Sequence, residues 1–392
     1  MFNKLLSQQL SEMENSGLKR FLRNVDCSPT SKIKLQGKDF INFSSNNYLD
    51  LAGDKEIEKK AINIIKIYGL SATSSRLVSG NISVHKGLEE KLALFKNKKA
   101  CLVYPSGYQT NLGVISALIS YQKDACIIMD KLNHASIWDG AKLSGSRIFV
   151  YKHCDMNSLE KVLKRAENYN LKLAITESVF SMDGDITPMK DFINLCQKYK
   201  AVSMVDEAHS TGVFGNQGKG LADTFGISDK IDIIIGTLSK AFALQGGFVC
   251  GSKTLIDFLI NKCRSFIYTT AISPFLAAIA IETLEIIKKS DNRRETLYDN
   301  AKILKSKLID LGFNIGKSES QIIPIITETV ENTEKLSLHL LKNNIYTPSI
   351  KPPTVPNSKA RIRISLTAGH SIKDIDLLVN ALKLYKHNST RL

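Results

Sequence analysis

The chain is 392 residues long, with 43% hydrophobic and 23% charged residues, which is ordinary for a globular protein. This length exceeds what one hydrophobic core supports, so we expect more than one subdomain. No apolar run reaches the roughly 18 to 20 residues of a transmembrane helix, and the first residues lack the apolar stretch of a signal peptide. The composition argues against a disordered or membrane-embedded chain, and residues 1–24 are expected to form an amphipathic helix of the mature protein.

The net charge is +15, which raises the question of nucleic-acid binding. The lysines are spread along the predicted helices, and no basic block is interleaved with aromatic residues, so a solvated lysine-rich surface is the favoured explanation. The alternative explanation for the net charge is that the basic surface weakly attracts an anionic substrate or carrier. The seven cysteines are scattered and never at the spacing of a zinc or redox pair, so we expect reduced thiols, a cytoplasmic location and no metal site.

Short apolar runs that end in polar residues alternate with helix-like stretches. These runs are CIIMD (126–130), LAITES (173–178), AVSMVD (201–206) and DIIIGT (232–237). The alternation predicts βαβ units and an α/β fold with a mostly parallel sheet covered on both faces. In such sheets the ligand site lies beyond the carboxyl ends of the strands. The polar residues at these ends are Glu177 with Ser181, Asp206 with His209, and 237–240.

The pattern changes after about residue 275, where long helical stretches are followed by shorter strands and a final helix. We therefore predict an N-terminal segment (1–43), a large domain (44–275) and a smaller α+β domain (276–392). The stretch KPPTVPNSKA (351–360) is predicted to be a proline-rich loop before the strand RIRISL.

Lys240 stands in TLSKAF (237–242), a hydroxyl-rich turn just after a predicted buried strand. A lysine in apolar surroundings loses its charge easily, which makes its amine available for a Schiff base. Taken alone, a lysine at a strand end is more often simply solvated. Asp206 ends another strand of the same sheet, and a fixed carboxylate keeps a pyridine nitrogen protonated so that the ring withdraws electrons. The alternative for Asp206 is a helix N-cap.

Four further residues extend this pattern. His209 follows Asp206 by three residues and would address the same ring if the turn is tight; a packed, hydrogen-bonded histidine is the alternative. His134 follows the strand at 126–130, where a flat imidazole stacks readily on an aromatic cofactor, although a plain loop histidine is equally simple. Gly107 and Tyr108 open a predicted helix, and free N–H groups at helix N-termini bind phosphate.

Taken together, several segments resemble the α-oxoamine synthases, a fold-type-I family that depends on pyridoxal phosphate and is aspartate-aminotransferase-like in fold. These segments are NFSSNNYLDL, SSRLVSGN, PSGYQTN, NHAS, TESVFSMDGD, VDEAHSTGVFG, TLSKAF and KPPTVPNSKARIRISLTAGH. They occur in the family's order from about residue 17 to 385, which is far more specific than any one of them.

The resemblance implies a role in cofactor binding or catalysis for most of the strand-end residues. Lys240 would be the Schiff-base lysine, Asp206 the partner of the pyridine nitrogen, His209 a donor to the ring's phenolic oxygen, and His134 the residue stacked on the ring. The residues that would line the phosphate and ring are Gly107, Tyr108, Ser181 and Thr237.

The resemblance also implies a set of substrate contacts. Arg363 would hold the substrate carboxylate, and Asn46 would also line the site. Arg20 and Thr354 are similar to acyl-substrate contacts, with Arg23 as an alternative to Arg20.

The chain departs from the family pattern at three positions. Asp50 stands where the family favours glycine after NYL, Ala243 replaces the usual glycine after SKAF, and Lys351 replaces a frequent arginine before PPT. Ala243 predicts a backbone that avoids positive φ. Lys351 is expected to alter how the acyl end is held, because an ammonium cannot form the bidentate contacts of arginine.

Within the family, the PPTVP run is most similar to the enzymes of biotin biosynthesis that condense L-alanine with a pimeloyl thioester, carried by CoA or by an acyl carrier protein. A glycine-using relative such as glycine C-acetyltransferase is the nearest alternative function. A catalytically silent regulatory subunit is an alternative from another functional class. The hypothesis that the protein binds nucleic acid would be supported by its net charge alone. The resemblance implies a homodimer with no membrane or nucleic-acid partner, in which residues 268–270 (YTT) reach the neighbour's phosphate site.

Overall fold

The computed structural model describes residues 1–389, so the last three residues of the predicted C-terminal domain lie outside the described part. The strands are β1 (Lys32–Leu35), β2 (Lys38–Asn42), β3 (Ala100–Tyr104), β4 (Ala125–Asp130), β5 (Arg147–Tyr151), β6 (Leu171–Glu177), β7 (Val202–Asp206), β8 (Ile233–Thr237), β9 (Gly247–Gly251), β10 (Ile322–Glu328), β11 (Ile345–Tyr346), β12 (Ser349–Ile350) and β13 (Ala360–Ser365). The helices are α1 (Phe2–Asn15), α2 (Lys55–Tyr68), α3 (Ser83–Phe95), α4 (Gly107–Ser120), α5 (Ala135–Leu143), α6 (Met156–Arg165), α7 (Met189–Lys198), α8 (Leu221–Thr224), α9 (Lys253–Lys262), α10 (Arg264–Ile267), α11 (Pro274–Lys288), α12 (Asp291–Asp310), α13 (Val330–Lys342) and α14 (Ile372–Ser389).

A seven-stranded sheet forms the larger of two structural units, with strand order β3-β9-β8-β7-β6-β4-β5. Neighbouring strands from β8 to β5 are parallel, and β9 runs antiparallel to both of its neighbours. Every residue of β4, β8 and β9 is buried, as expected for strands that are covered on both faces. The predicted α/β fold with a mostly parallel sheet is confirmed.

The carboxyl ends of β6, β7 and β8 lie side by side in this sheet, because these strands are consecutive and parallel. Their last residues are Glu177, Asp206 and Thr237. Strand order thus places polar residues that are far apart in the sequence along one edge.

The chain divides into a larger unit, made of 51–181 and 185–294, and a smaller one, made of 1–50, 182–184 and the chain from Glu295 onward. These boundaries differ from the predicted ones at 43/44 and 275/276. Helix α11 belongs to the larger unit because it packs on α2 and α3. The N-terminal residues belong to the smaller unit because β2 pairs with β11 in the sheet β1-β2-β11.

The smaller unit also contains the sheet β10-β13-β12, in which β13 pairs antiparallel with both neighbours. Strand β13 contains the RIRIS residues, and the proline-rich loop ends where it begins, as predicted. The N-terminal helix predicted over 1–24 is shorter in the structure, where α1 ends at Asn15 and has no buried residue. In the described part of the chain, no helix combines the length and apolar character needed to cross a membrane.

Candidate active site

One cavity of about 240 Å³ lies at the carboxyl ends of β6, β7 and β8 and the starts of α4 and α5. The predicted residues that line it are Gly107, Tyr108, His134, Asp206, His209, Thr237 and Lys240. Ser181 is half-buried and is not among the lining residues, so its role stays a prediction. The structure therefore brings together most of the residues that the sequence assigned to the cofactor.

Asp206 is the last residue of β7 and is buried. Its Oδ1 accepts a hydrogen bond of 2.8 Å from the main-chain N–H of Ala208, and its Oδ2 accepts one of 2.8 Å from Nδ2 of Asn111. Two N–H donors stabilise an ionised carboxylate. The carboxyl group of Asp206 is thus fixed in position at the cavity.

His134 is the N-cap residue of α5, and its Nδ1 accepts a hydrogen bond of 3.2 Å from the main-chain N–H of Ser136. The main-chain N–H of His134 donates to Oε1 of Glu177 at 2.5 Å. Burial lowers the pKa of His134 and outweighs the opposing charge of Asp206, while the charge of Lys240 lowers it further. The His134 ring is therefore neutral at pH 7 and well suited to stack on an aromatic group.

Helix α4 begins at this cavity, with Ser106 as its N-cap residue. The Ser106 side chain accepts a hydrogen bond from the N–H of Gln109 at 3.2 Å, and Gly107 and Tyr108 line the cavity. The first turn of a helix presents unsatisfied N–H groups and a partial positive charge, which is a binding site for phosphate. The predicted phosphate position is consistent with this geometry.

The start of α4 packs closely on β9 and β8. A Cβ atom at Gly247 would lie 2.6 Å from N and Cα of Gly107, so only glycine allows this approach. The hydroxyl of Thr237 donates to the carbonyl oxygen of Gly246 at 2.8 Å, which fixes its orientation beside Gly107.

Lys240 lies in a tight turn between β8 and β9. The main-chain N–H of Ser239 donates to Oγ1 of Thr237 at 3.1 Å, and the N–H of Ala243 donates to the carbonyl oxygen of Lys240 at 2.8 Å. Ala243 has φ +55°, so the prediction that this backbone avoids positive φ was wrong. The turn requires a left-handed residue just after Lys240, whether or not that residue is glycine.

The same conformation explains another departure from the family pattern. Asp50 has φ +55°, in the left-handed region that glycine adopts without strain and aspartate tolerates better than most residues. Its side chain lies against Gly369, where a Cβ atom would come within 2.1 Å of the Asp50 carboxylate. Asp50 therefore keeps the backbone shape at a position where the family favours glycine.

Several residues that line the cavity were given no site role from the sequence, among them Asn111, Ser136 and Glu177. Asn111 and Ser136 are bonded to each other, with Nδ2 of Asn111 donating to Oγ of Ser136 at 3.1 Å. Glu177 ends β6 directly beside Asp206 and is among the polar residues predicted at the strand ends, but the sequence gave it no role. Asn111 lies within a helix, where sequence gives no sign that a side chain points into a cavity.

The smaller unit contains the residues predicted to bind the substrate carboxylate. Both Nη1 and Nη2 of Arg363 donate to Oδ1 of Asn46 at 3.1 Å. The hydroxyls of Tyr48 and Ser365 donate to the same oxygen, at 3.1 and 3.4 Å. An oxygen acceptor already lies in the fork of the Arg363 guanidinium, which is the position that a carboxylate oxygen would take.

Arg20 and Thr354, predicted as acyl contacts, lie together in the smaller unit. Nη2 of Arg20 approaches Oγ1 of Thr354 at 3.4 Å and the carbonyl oxygen of Pro352 at 3.3 Å. The charge of Arg23 instead acts on Glu334. The contact between Arg20 and Thr354 favours Arg20 over Arg23 as the residue that binds the acyl substrate, and this role stays a prediction.

The fold and the cavity define a family. Residues 38–382 match the family model described as aminotransferase class I and II. The chain belongs to this family.

Comparison with individual proteins is more specific than the match to the family model. The chain is 42% identical over 381 residues to an 8-amino-7-oxononanoate synthase of Petrotoga mobilis, with 97% of this chain and 96% of the relative covered. It is 40% identical to 8-amino-7-oxononanoate synthase 2 of Bacillus subtilis, with 95% of each chain covered. The resemblance that the motifs indicated is confirmed.

Solved structures agree with the fold. A serine palmitoyltransferase of S. paucimobilis with bound PLP superposes with a TM-score of 0.92 at 28% identity, covering 99% of this chain and 98% of that one. An 8-amino-7-oxononanoate synthase from Francisella tularensis superposes with a TM-score of 0.77 at 28% identity, covering 90% of this chain and 99% of that one. The predicted fold type is thus confirmed.

Proposed function

We propose that this protein is a pyridoxal-phosphate-dependent acyltransferase that condenses L-alanine with a pimeloyl thioester to give 8-amino-7-oxononanoate for biotin biosynthesis, with release of carbon dioxide and of the free thiol of the acyl carrier. The single observation that carries the chemistry is the cavity in which Lys240, Asp206 and His134 meet the start of α4. The names of relatives at 40 to 42% identity over nearly the whole chain support the choice of substrates.

The residues present fit this cofactor. Lys240 would bind it covalently through Nζ, and the ionised Asp206 would pair with the ring nitrogen. The first turn of α4 would hold the phosphate with its N–H groups, and the neutral ring of His134 would stack on the cofactor. When bound, the cofactor withdraws electrons from the Cα of the amino acid. Oδ1 of Asn111 is buried without a hydrogen-bond partner at the same cavity, as expected where a polar ligand belongs.

The protein's own groups would handle the proton and the carboxylate. The amine of Lys240 would remove the proton from Cα of L-alanine and later return a proton to the product. The guanidinium of Arg363 would bind the amino-acid carboxylate through charge-assisted hydrogen bonds, with Asn46 fixing its orientation. Arg20 and Thr354 would contact the acyl substrate.

The proposal includes a cytoplasmic homodimer. In it, residues 268–270 would reach the phosphate site of the other subunit, and Tyr268 is 71% exposed in the single chain. The acyl group would arrive on CoA or on an acyl carrier protein, and both carriers are used in the experiment below.

The test is a product assay with the purified protein and pyridoxal phosphate. Pimeloyl-CoA and pimeloyl-acyl carrier protein are each combined with L-alanine, glycine or L-serine, and products are identified by mass spectrometry. We expect 8-amino-7-oxononanoate from L-alanine, and no product from Lys240→Ala. Product from glycine alone would favour the acetyltransferase alternative. Bound cofactor without product from any amino acid would favour the silent subunit.

A further inference from the structure

Glu177 and Asp206 are neighbouring acidic residues that both line the cavity. They are the last residues of the parallel strands β6 and β7, and their Cα atoms are paired in register. In-register residues of neighbouring parallel strands point to the same face, roughly 5 Å apart. Both residues line the cavity, and their exposed fractions are 3% and 6%. Two ionised carboxylates this close and this buried repel each other strongly, so one of them retains a proton.

The hydrogen bonds of the two carboxyl groups differ in number. Asp206 accepts from two N–H donors, those of Ala208 and Asn111, each at 2.8 Å. Glu177 accepts from one, the main-chain N–H of His134 at 2.5 Å. Because each N–H donor stabilises the charged form, the proton belongs on Glu177.

Burial and the neighbouring charges also favour the protonated form of Glu177. Burial is the largest cause and raises the pKa of Glu177 well above its usual range, and the charge of Asp206 raises it further. The His134 N–H and the charge of Lys240 lower it, while Asp130 adds to the rise. The balance of these effects raises the pKa of Glu177 and so favours its protonated form.

We propose that Glu177 is a protonated positioning residue, which fixes the backbone of His134 and leaves Asp206 as the single negative charge among the side chains that line the cavity. This inference rests on the proposed function where it concerns the cofactor. One carboxylate balances one protonated ring nitrogen. A second carboxylate beside it would favour the charged form of Lys240, whose neutral amine is needed to take a proton.

The first test is the infrared spectrum of the full-length protein, with and without pyridoxal phosphate. We expect the carbonyl stretch of a protonated carboxylic acid at pH 7, shifted in protein labelled with ¹³C at the glutamate carboxyl groups and lost in Glu177→Gln. A spectrum in which neither labelling nor the substitution changes an acid band would overturn the proposal. The cofactor-free spectrum tests the protonation of Glu177 whether or not the proposed function is correct. The labelled wild-type protein gives a result that does not depend on the folding of the variant.

The second test follows the pH dependence of the visible absorbance of the lysine-bound cofactor. Glutamine is neutral like the protonated glutamate and still accepts from the His134 N–H. We therefore expect the pKa of this band in Glu177→Gln to stay within about half a pH unit of wild type. A larger fall would mean that a negative charge had been removed, and would contradict the inference.

Glu177→Ala is the matched variant, because it also lacks the carboxyl group but leaves the His134 N–H without its acceptor. We expect it to bind pyridoxal phosphate roughly tenfold more weakly than Glu177→Gln, and equal affinities would remove the positioning role. A wild-type protein that takes up no cofactor at all would instead contradict the proposed function.

Discussion

The ammonium of Lys351 forms an ion pair of 2.8 Å with Oε1 of Glu334 and is largely buried. It also donates to the carbonyl oxygens of Gly17 and Lys19, at 2.6 and 3.3 Å. Its three N–H groups thus join the loop before β13 to the segment just before Arg20. The sequence predicts that Lys351 alters how the acyl end is held. Its contacts indicate that it acts by holding the backbone next to Arg20.

Lys351→Met is expected to raise KM for the pimeloyl thioester roughly tenfold, which corresponds to about 1.4 kcal/mol, because the segment that carries Arg20 loses its anchor. KM for L-alanine should stay unchanged, since Arg363 and Asn46 do not depend on this anchor. Steady-state kinetics with each substrate varied in turn gives both values.

Lys335→Met is the control for this change. Lys335 pairs with Glu331 on the exposed face of α13, on the helix that also contains Glu334. Both KM values should match wild type in this variant. An equal rise of both values in Lys351→Met would show a general loss of structure and contradict the positioning role.

A second ion pair lies fully inside the larger unit. Nζ of Lys96 donates to Oε2 of Glu207 at 2.8 Å, to Oγ1 of Thr211 at 2.7 Å and to the carbonyl oxygen of Lys219 at 2.6 Å. Lys96→Met should lower the free energy of unfolding by about 3 to 5 kcal/mol, because it leaves a buried charge on Glu207 without a partner. Urea unfolding measures the loss.

The double variant Lys96→Met with Glu207→Gln tests this cause. Glutamine is neutral and its oxygen still accepts the N–H of Ala222, which donates to Glu207 Oε1 at 2.8 Å in the wild type. We expect the double variant to be more stable than Lys96→Met alone. A double variant as unstable as the single one would show that packing, and not the unpaired charge, is responsible.

The parts of the site that were predicted from sequence follow from local patterns. Asp206 and Thr237 end apolar runs, and in a parallel sheet the ends of such runs meet at one edge. Lys240 and His134 were identified from their places just after such runs. For these residues, strand length and chain order determine position, so sequence is sufficient.

Other features depend on contacts between distant segments, and sequence reasoning missed them. The N-terminal residues join the smaller unit through the pairing of β2 with β11, although some 300 residues separate these strands. The positive φ of Ala243 follows from hydrogen bonds that close the turn between β8 and β9, and its side chain gives no sign of it. Long-range pairing and turn closure are properties of the folded chain rather than of any local window.

His153 makes the stability of the protein depend on pH. Its Nδ1 lies 2.9 Å from Oδ1 of Asp130, and its Nε2 lies 2.7 Å from Oδ2 of Asp185. Burial alone would lower the pKa of His153, but the hydrogen bonds to the two carboxylates raise it to about 12. A raised pKa in the folded state contributes stability that is complete below the unfolded pKa, near 6.5, and is lost as pH rises toward the folded pKa.

His153→Gln does not titrate, so its free energy of unfolding should lie furthest below wild type at pH 6. The difference should shrink by about 1.4 kcal/mol for each pH unit above 6.5. Urea unfolding at pH 6, 7 and 8 tests this slope. His85→Gln is the control, because burial lowers the pKa of His85 and its difference from wild type must not shrink over this range. A constant difference for His153→Gln would mean that the pKa of His153 is not raised in the folded protein.

His370 has the opposite dependence on pH. Its ring stacks on Phe43 with centroids 4.3 Å apart, its Nδ1 accepts from the N–H of Thr367 at 3.0 Å, and its Nε2 lies 3.1 Å from the carbonyl oxygen of Asn42. These contacts require a neutral ring with its proton on Nε2. Burial lowers the pKa of His370 to about 4, so its contribution to stability is present above the unfolded pKa near 6.5 and is lost as pH falls toward 4.

His370→Gln should be less stable than wild type at pH 7.5, because it loses the stacked ring and its hydrogen bonds. The difference should narrow by about 1.4 kcal/mol for each pH unit between 6.5 and 4, since only in the wild type does unfolding expose a neutral ring that then takes up a proton. Urea unfolding at half-unit steps across this range measures the slope. Phe43→Leu removes the stack but leaves His370 in place, so its difference from wild type should keep a constant size. If the free energies of unfolding of His370→Gln and Phe43→Leu changed with pH in parallel, the acid sensitivity would come from other groups.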